Sequence, residues 1–483
     1  MIRWKKTVPF LLFLLAFALY VYFLSTSFEE WDSVQFAMGV QDYDVYRHQP
    51  HPPGYPVYVF LAWAVYQLSH QMIFSLAIIS AVSAAAAILP FYYLAKGVFD
   101  ERVAFVSTLL LMFNPGYWLT AEKTLSDGLA VALIISSVYL LHSGISLHHS
   151  KRIYWSSILL ALSIGVRQTL FPFMLLWIVF LRKRRGILFR SGVLFVLTCI
   201  GWLVPMLYKT GFGRYLLASE SQSAVLYGDS IFNASITFFG VLKRLFYEHL
   251  IKDYIWISYG ALPYLEPIYL KALSVLSLGI LAWLAIVFVL YARRGTWSPK
   301  KNLIALLLVP YGVWMLLMMD PLNDRYILPT IPWICLILGW LLTGSGFKYR
   351  RVKKIAIVLL ILTTFIHSVY FANTLHNVPS APTQLVNYVS DRYDPSSTLI
   401  LCGTESRYFQ YYYPEYDAIT VYDPLNVSLK LEEFNGTVLI TDIAAERLGG
   451  YIEPEKLVRV AVFERDTLAH RRNWRIVLYE YIN

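Results

Sequence analysis

Residues 28–56 read FEEWDSVQFAMGVQDYDVYRHQPHPPGYP and concentrate acidic, histidine and aromatic side chains between two apolar segments. The titratable groups of this stretch are Glu29, Glu30, Asp32, Asp42, Asp44, His48 and His51. The stretch ends in His51-Pro52-Pro53-Gly54, where the prolines restrict the backbone and direct the chain into the next helix. The alternative is a solvated connector, but a connector does not require this combination of acidic, histidine and aromatic residues with a proline-rich end. We therefore interpret this loop as part of a functional site.

Apolar residues dominate the rest of the chain as well. Of its 483 residues, 57% are hydrophobic and only 15% are charged, whereas a soluble domain has about 25% charged residues. The run 7–24 is long enough to cross a bilayer, and no small-residue cleavage site follows it, so we predict a permanent first span. The net charge of +10 comes from clusters between apolar runs and indicates topology, not nucleic acid binding.

Eleven apolar runs predict transmembrane helices. They are residues 7–24, 72–95, 103–118, 128–144, 153–165, 169–181, 192–207, 272–291, 303–319, 326–343 and 355–371. Residues 56–68 form only about 20 Å of helix against a hydrocarbon core of about 30 Å, so we predict a surface helix there. The short runs 153–165 and 169–181 predict a hairpin with Arg167 at its tip, and a single long span is the alternative.

The distribution of Lys and Arg predicts the orientation. With 56–68 outside the membrane, the basic residues favour a cytoplasmic N-terminus. The predicted outer segments are 25–71, 208–271 and 373–483. In the last of these, β-rich runs at 398–401, 418–422, 437–441, 457–463 and 475–481 alternate with helical stretches. We therefore predict a polytopic α-helical membrane module, residues 1–372, followed by a small extracytoplasmic α/β domain, residues 373–483.

Further charged residues lie at the predicted outer face. Glu122 and Asp127 follow the third span, and carboxylates can act as a general base, as ligands of a divalent metal ion, or as both. Arg167 interrupts an apolar segment, and Arg325 precedes Tyr326 at the edge of the tenth span, where a guanidinium can hold a phosphate through two hydrogen bonds. Structural alternatives are a helix-terminal acid for Asp127, snorkelling for Arg167 and an interfacial anchor for Arg325.

The motifs resemble those of the membrane-embedded GT-C glycosyltransferases, in particular the protein O-mannosyltransferase-like (PMT/ArnT-like) branch. The acidic motif at 31–36 and His51-Pro52-Pro53-Gly54 look like the start and end of that family's first extracytoplasmic loop. Asp127 is similar to the acid of its second loop, and Arg325-Tyr326 to its late Arg-Tyr element. Some relatives carry Gly-Glu where this chain has Val34-Gln35, so a carboxylate of their first loop is missing here.

The resemblance implies transfer of one sugar, a mannose-like hexose, from a polyprenyl or dolichyl phosphate to an acceptor hydroxyl on a protein, glycan or lipid. Asp32 would be the general base, and Arg325 with Arg167 would stabilise the departing phosphate. The residues expected to orient sugar or acceptor are Glu30, Gln35, His51, Glu122, Asp127 and Tyr326. The resemblance assigns no definite cofactor, a divalent metal ion is left open, and the bilayer is the expected environment.

Two other classes of protein stay open at this point. A transporter or flippase for a lipid-linked or acidic solute should show repeats with charges in broken helices near the midplane. The sequence shows no such repeat, and its acids cluster in outer loops. A membrane receptor without catalytic activity would depend on its outer tail instead.

Overall fold

A computed structural model describes residues 4–229, 237–243, 267–293, 299–319, 324–344, 350–465 and 475–482. The helices in these ranges are α1 Trp4–Tyr22, α2 Trp31–Gln41, α3 Pro56–Ser69, α4 Met72–Val98, α5 Glu101–Met112, α6 Pro115–Glu122, α7 Asp127–Ser146, α8 Ser150–Val166, α9 Met174–Leu181, α10 Arg185–Thr210, α11 Phe212–Asp229, α12 Phe238–Leu242, α13 Ile268–Arg293, α14 Pro299–Met318, α15 Ile331–Thr343, α16 Arg350–Asn377, α17 Ala381–Arg392, α18 Ser406–Tyr412, α19 Pro424–Glu433 and α20 Asp442–Leu448. The strands are β1 Thr398–Cys402, β2 Asp417–Thr420, β3 Thr437–Thr441, β4 Leu457–Glu464 and β5 Arg475–Tyr481. Short 3₁₀ helices include Val45–Arg47, Gln168–Phe173 and Asp324–Thr330.

Among the residues that the structure describes, fewer helices than the eleven predicted spans are long and apolar enough to cross a membrane. Within the described ranges there are six, or seven if one bent pair counts as a single span. They are Met72–Val98, Asp127–Ser146, Arg185–Thr210, Ile268–Val289, Arg325–Thr343 and Arg351–Arg392, with α5 and α6 as the bent pair. The predicted runs near α1, α9 and α14 form shorter apolar helices. The count of eleven is therefore not confirmed, although the chain is an integral membrane protein.

Two breaks interrupt the helices in these apolar segments. The predicted run 103–118 is not one straight helix, because α5 and α6 meet at an angle of 55°. Asn114 caps α6 by accepting a hydrogen bond from Tyr117 N at 3.1 Å, and Pro115 occupies the first turn, where its missing N–H costs nothing. A second break follows α8, where Arg167 is extended. A continuous helix through residues 153–181 is therefore excluded.

Two predicted outer segments are helical where they are described. Residues 56–68 form α3, and its position at the membrane surface stays a prediction. The segment 208–271 begins with the end of α10, followed by α11 and α12. Residues 230–236 and 244–266, including Arg244 and Asn233, lie outside the described residues. The last helix of the membrane module, α16, continues to Asn377 and so passes the predicted boundary at residue 372.

The C-terminal residues form the small α/β unit that the β-rich runs predicted. Its five-stranded sheet has the order β2-β1-β3-β5-β4, with β1 parallel to β2 and β3, and β5 antiparallel to both β3 and β4. β1 is buried along its whole length, as expected for a central parallel strand. Tyr408 and Phe409 of α18 belong to the same apolar core as the membrane helices.

Polar contacts connect this unit to the start of the first loop. Arg465, at the end of β4, forms a buried ion pair with Glu29 and also donates to Val378 O at 3.1 Å. Ser380 Oγ donates to Phe28 O at 2.7 Å. The side chains of Glu29 and Arg465 are 1% and 6% exposed, so neither charge has water as a substitute partner. The segment just before Glu30 is thus held from the C-terminal side.

Replacing Arg465 by Met should destabilise the protein, because Glu29 would keep a buried charge without its partner. Breaking a buried pair in this way costs about 3–5 kcal/mol. The matched control is Arg475→Met, since Arg475 is exposed and lies 3.8 Å from the exposed Glu464, where an ion pair contributes about 0–1 kcal/mol. Thermal unfolding in detergent measures both variants, and equal melting temperatures would show that the buried pair adds nothing.

Helix α15 approaches α5 closely enough to require glycine at position 339. A Cβ built on Gly339 would lie 2.9 Å from Ser107 N and would clash with Ser107 Oγ. Small residues at such contacts let membrane helices approach closely. The surrounding backbone would have to shift to accept an alanine.

Gly339→Ala is therefore expected to lower stability by about 1–3 kcal/mol, the usual effect of overpacking. Gly312→Ala in α14 is the control, because a Cβ there meets nothing within 4 Å. Melting temperatures of the two purified variants give the comparison. A Gly339→Ala protein as stable as the Gly312→Ala protein would contradict the packing described here.

Candidate active site

One guanidinium group, that of Arg325, lies among three carboxylates from two separate segments. It forms an ion pair with Asp32, and its Nη1 lies 3.1 Å from Glu30 Oε2 and 3.9 Å from Asp127 Oδ2. Arg325 is in the 3₁₀ helix that precedes α15, whereas Glu30 and Asp32 flank the start of α2 and Asp127 begins α7. The side chain of Asp32 is 17% exposed, compared with 5% for Glu30 and 3% for Asp127.

The ends of two helices favour negative charge at this site. Asp32 lies in the first turn of α2, and Asp127 is the first residue of α7. Unpaired N–H groups and the helix dipole stabilise an anion at these positions. The arrangement therefore holds carboxylates, and the same two helix ends would favour a phosphate group.

A second arginine extends the cluster. Arg167 is buried, forms an ion pair with Asp127, and its guanidinium lies 5.4 Å from the ring centroid of Tyr326. Tyr326 is itself fixed through its backbone, since its carbonyl accepts a hydrogen bond from Tyr311 at 2.9 Å. The extended backbone of Arg167 places its side chain here. Snorkelling away to the interface, the alternative considered from the sequence, does not describe this position.

The proline-rich end of the first loop places His51 beside Asp32. His51 Nδ1 is 3.7 Å from Asp32 Oδ1, its Nε2 is 2.9 Å from the Tyr55 hydroxyl, and its backbone N–H donates to Gln35 Oε1 at 3.2 Å. Gln35 is fully buried in α2. The turn requires glycine at residue 54, where φ is +102° and Tyr43 donates to the carbonyl at 2.7 Å.

The imidazole of His51 is held in its neutral form. Burial lowers its pKa from the ordinary value, and Asp32 opposes this by raising it, while Arg325, His48 and Arg167 lower it further. A neutral imidazole has one donor and one acceptor nitrogen. His51 can therefore exchange hydrogen bonds with a hydroxyl without adding charge to the cluster.

Glu122 is the predicted site residue that the structure does not bring to Arg325. It is fully buried at the end of α6, where the indole N–H of Trp118 donates to it and its carbonyl accepts from Ser25 N at 3.1 Å. Its neighbour Lys123 approaches the cluster instead, with Nζ 3.7 Å from Glu30 Oε1. Lys123 was not expected at the site, since the sequence shows only a cation near two predicted acids, Glu122 and Asp127.

The described residues do not form the divalent metal site considered from the sequence. No group of three or more His, Cys, Asp or Glu side chains in this part of the chain could hold a metal ion. The carboxylates converge on guanidinium groups, which occupy the positions between them.

Part of the chain matches a known family. Residues 50–208 match the family model described as dolichyl-phosphate-mannose-protein mannosyltransferase. The matched segment includes His51, Asp127 and Arg167, whereas Asp32 and Arg325 lie outside it. A search of curated proteins gives no significant match.

Solved structures with the same fold cover nearly the whole chain. The crystal structure of ArnT from Cupriavidus metallidurans bound to undecaprenyl phosphate is 11% identical, with a TM-score of 0.52, over 100% of this chain and 98% of that chain. The oligosaccharyltransferase of Archaeoglobus fulgidus in its apo form is 13% identical, with a TM-score of 0.55, over 98% of this chain and 76% of that chain. AglB from Archaeoglobus fulgidus in complex with an inhibitory peptide and a dolichol-phosphate is 12% identical, with a TM-score of 0.52, over 92% and 70%.

At these identities the structural matches show a common fold, and the family model adds a sequence match over residues 50–208. Both agree with the resemblance noted from the sequence motifs. This chain is an integral membrane protein with the GT-C glycosyltransferase fold, and it resembles the PMT/ArnT-like families.

Proposed function

We propose that the protein is a membrane glycosyltransferase that takes a single sugar from a polyprenyl-phosphate donor. The observation that carries this proposal is the position of Arg325, buried among Glu30, Asp32 and Asp127 at the ends of two helices. Such a site can accept an anionic leaving group and a proton at the same place. The fold agrees, since related structures were solved with undecaprenyl phosphate and with a dolichol-phosphate.

Arg325 and Arg167 would bind and stabilise the phosphate. A guanidinium donates two parallel hydrogen bonds to phosphate oxygens, and fixed positive charge is most effective where water is excluded. In the absence of donor, Asp32 and Asp127 neutralise these groups. A donor phosphate that engages Arg325 would take over part of that role, which leaves Asp32 available to the acceptor.

Asp32 would be the general base. As the acceptor oxygen forms its bond to the anomeric carbon, its proton passes to the Asp32 carboxylate, and the bond from that carbon to the phosphate oxygen breaks with its electron pair. The products are the glycosylated acceptor and the polyprenyl phosphate. Asp32 suits this role because it is the most exposed of the three carboxylates around Arg325. One direct displacement inverts the anomeric configuration.

The proposed sugar and acceptor are chosen from the matched family model and from a similar solved structure. The name of the matched family favours mannose, or a hexose like it, and a protein acceptor. A structure of the Archaeoglobus fulgidus enzyme carries a tethered acceptor peptide, which also favours protein. The proposal also includes glycan and lipid acceptors. It places the transfer reaction at the extracytoplasmic face of the membrane. Glu30, Gln35, His51 and Tyr326 would orient the reactants.

Asp32→Asn should reduce the rate of transfer by about 10² to 10⁴, since the amide keeps the shape but cannot accept the proton. Donor binding should persist, because Arg325 and Arg167 are unchanged. Arg325→Lys should lower the transfer rate and, unlike Asp32→Asn, should also weaken donor binding, since an ammonium cannot donate two parallel hydrogen bonds to the phosphate. Purified variants are assayed with radiolabelled polyprenyl-phosphate sugars and host membrane extract, and donor binding is measured separately.

Asp42→Asn is the matched control for this experiment. Asp42 lies in the same loop, but its side chain is 66% exposed and pairs with the exposed Arg47. Its transfer rate should equal that of the unmodified protein. Full activity of a folded Asp32→Asn protein would refute the assignment of the base, and donor binding without turnover in every condition would favour a transporter or a receptor.

The pH dependence of transfer should report the neutral state of His51. Because its pKa is lowered, protonation should occur below the ordinary value of about 6.5. The imidazolium would then pair with Asp32 and compete for the base, so kcat/KM should rise with pH in that acidic range and level off above it. His51→Gln should remove this dependence, whereas His149→Gln, at an exposed position, should keep it. An unchanged profile in His51→Gln would exclude this role.

A further inference from the structure

A cavity lies between the ends of three helices, away from the candidate active site. Its volume is about 590 Å³, within the usual range of ligand pockets. Apolar side chains from the three helices line it, including Ile145 of α7, Phe180 of α9 and Leu306 of α14. Residues 182–184, an Arg-Lys-Arg sequence between α9 and α10, also line it. The cavity therefore combines an apolar wall with a cluster of cations.

The cavity is at the membrane face opposite the candidate active site. Helix α7 begins with Asp127, which contacts Arg325, and reaches the cavity at Ile145. At 1.5 Å per residue this separation is about 27 Å, close to the hydrocarbon thickness of about 30 Å. The segment from Arg167 to Arg182 runs between the same two places. A lipid bound in the cavity would thus come from the leaflet opposite the one next to the candidate active site.

The cations of the cavity have no acidic partner in the part of the chain that the structure describes. Neither Arg182, Lys183 nor Arg184 forms an ion pair with a carboxylate there. The backbone forms a turn between α9 and α10 here, in which Arg184 N donates to Leu181 O at 2.7 Å and Arg184 O accepts from Ile187 N at 2.9 Å. Adjacent like charges repel, and a bound anion would remove that repulsion.

We propose that this cavity binds an anionic phospholipid of the bilayer. Its phosphate would contact residues 182–184, and the start of an acyl chain would lie against Ile145, Phe180 and Leu306. A small free anion has no use for the apolar wall, and a zwitterionic lipid matches the charge less well. Anionic phospholipids are present in bulk at membrane surfaces, where each nearby Lys or Arg contributes about fivefold to binding.

The bound lipid would join α9 to α14. Both helices lead toward the candidate site, since α9 follows the 3₁₀ helix after Arg167, and Tyr311 of α14 donates to Tyr326 O at 2.9 Å. The expected effect is therefore on the stability of the whole bundle. The proposal does not depend on the chemistry assigned to Asp32.

The test is a lipid titration of the detergent-purified full chain, read by native mass spectrometry and by thermal unfolding. Phosphatidylglycerol should bind at least tenfold more tightly than phosphatidylcholine and raise the melting temperature. Replacing Arg182, Lys183 and Arg184 together by Gln should reduce phosphatidylglycerol binding by about tenfold to hundredfold. A control that replaces Lys151, Arg152 and Arg190 by Gln removes equal charge near the same membrane face and should bind like the unmodified protein.

A second variant tests the apolar wall without changing charge. Ala305 lines the cavity on α14, so the indole of Ala305→Trp should occupy the space beside the apolar wall and reduce phosphatidylglycerol binding at least tenfold. This result decides the proposal if the triple Gln variant does not fold. Equal binding of the two phospholipids, or unchanged binding in Ala305→Trp, would overturn the proposal. So would displacement of phosphatidylglycerol by undecaprenyl phosphate, which would assign the cavity to the donor lipid.

Discussion

The guanidinium of Arg325 is the group on which the arrangement of this protein depends most. A buried cation is stable only with close counter-charges, and these come from the start of α2 and the start of α7. The first loop, the second loop and the segment before α15 must therefore meet at one place. The apolar packing of α4, α5 and α7 brings the helices together, and the ion pairs fix how their ends are placed.

Much of the site could be predicted from the sequence because charges at membrane boundaries are rare and costly. Asp32, Asp127, Arg167 and Arg325 each stood out against apolar surroundings, and the structure brings them into one cluster. Their pairing could not be predicted, since it depends on the angle at which distant helices approach. The position of Glu122 could not be predicted for the same reason. It ends α6, where it accepts a hydrogen bond from Trp118 instead of contacting Arg325.

The fold was predictable in class and less so in detail. Strand runs in the C-terminal unit matched the observed strands closely, because short β-rich segments bounded by turns carry a strong local signal. The count of eleven spans is not confirmed, since six helices, or seven with one bent pair, are long and apolar enough within the described residues. Asn114 caps the start of α6, whose angle to α5 hydropathy does not reveal, whereas the break at Arg167 was expected from the sequence as the tip of a hairpin. The ion pair between Glu29 and Arg465 had no sequence signal at all.

That ion pair has a consequence for the biogenesis of the protein. Glu29 follows the first apolar segment and is made early in synthesis, whereas Arg465 follows 436 residues later. Until the C-terminal unit emerges and folds, Glu29 has the hydroxyl of Ser25 beside it but lacks the cation with which it pairs in the folded protein. The final arrangement of the loop is thereby coupled to the folding of the C-terminal unit, which supplies both Arg465 and the Ser380 hydroxyl that donates to Phe28 O.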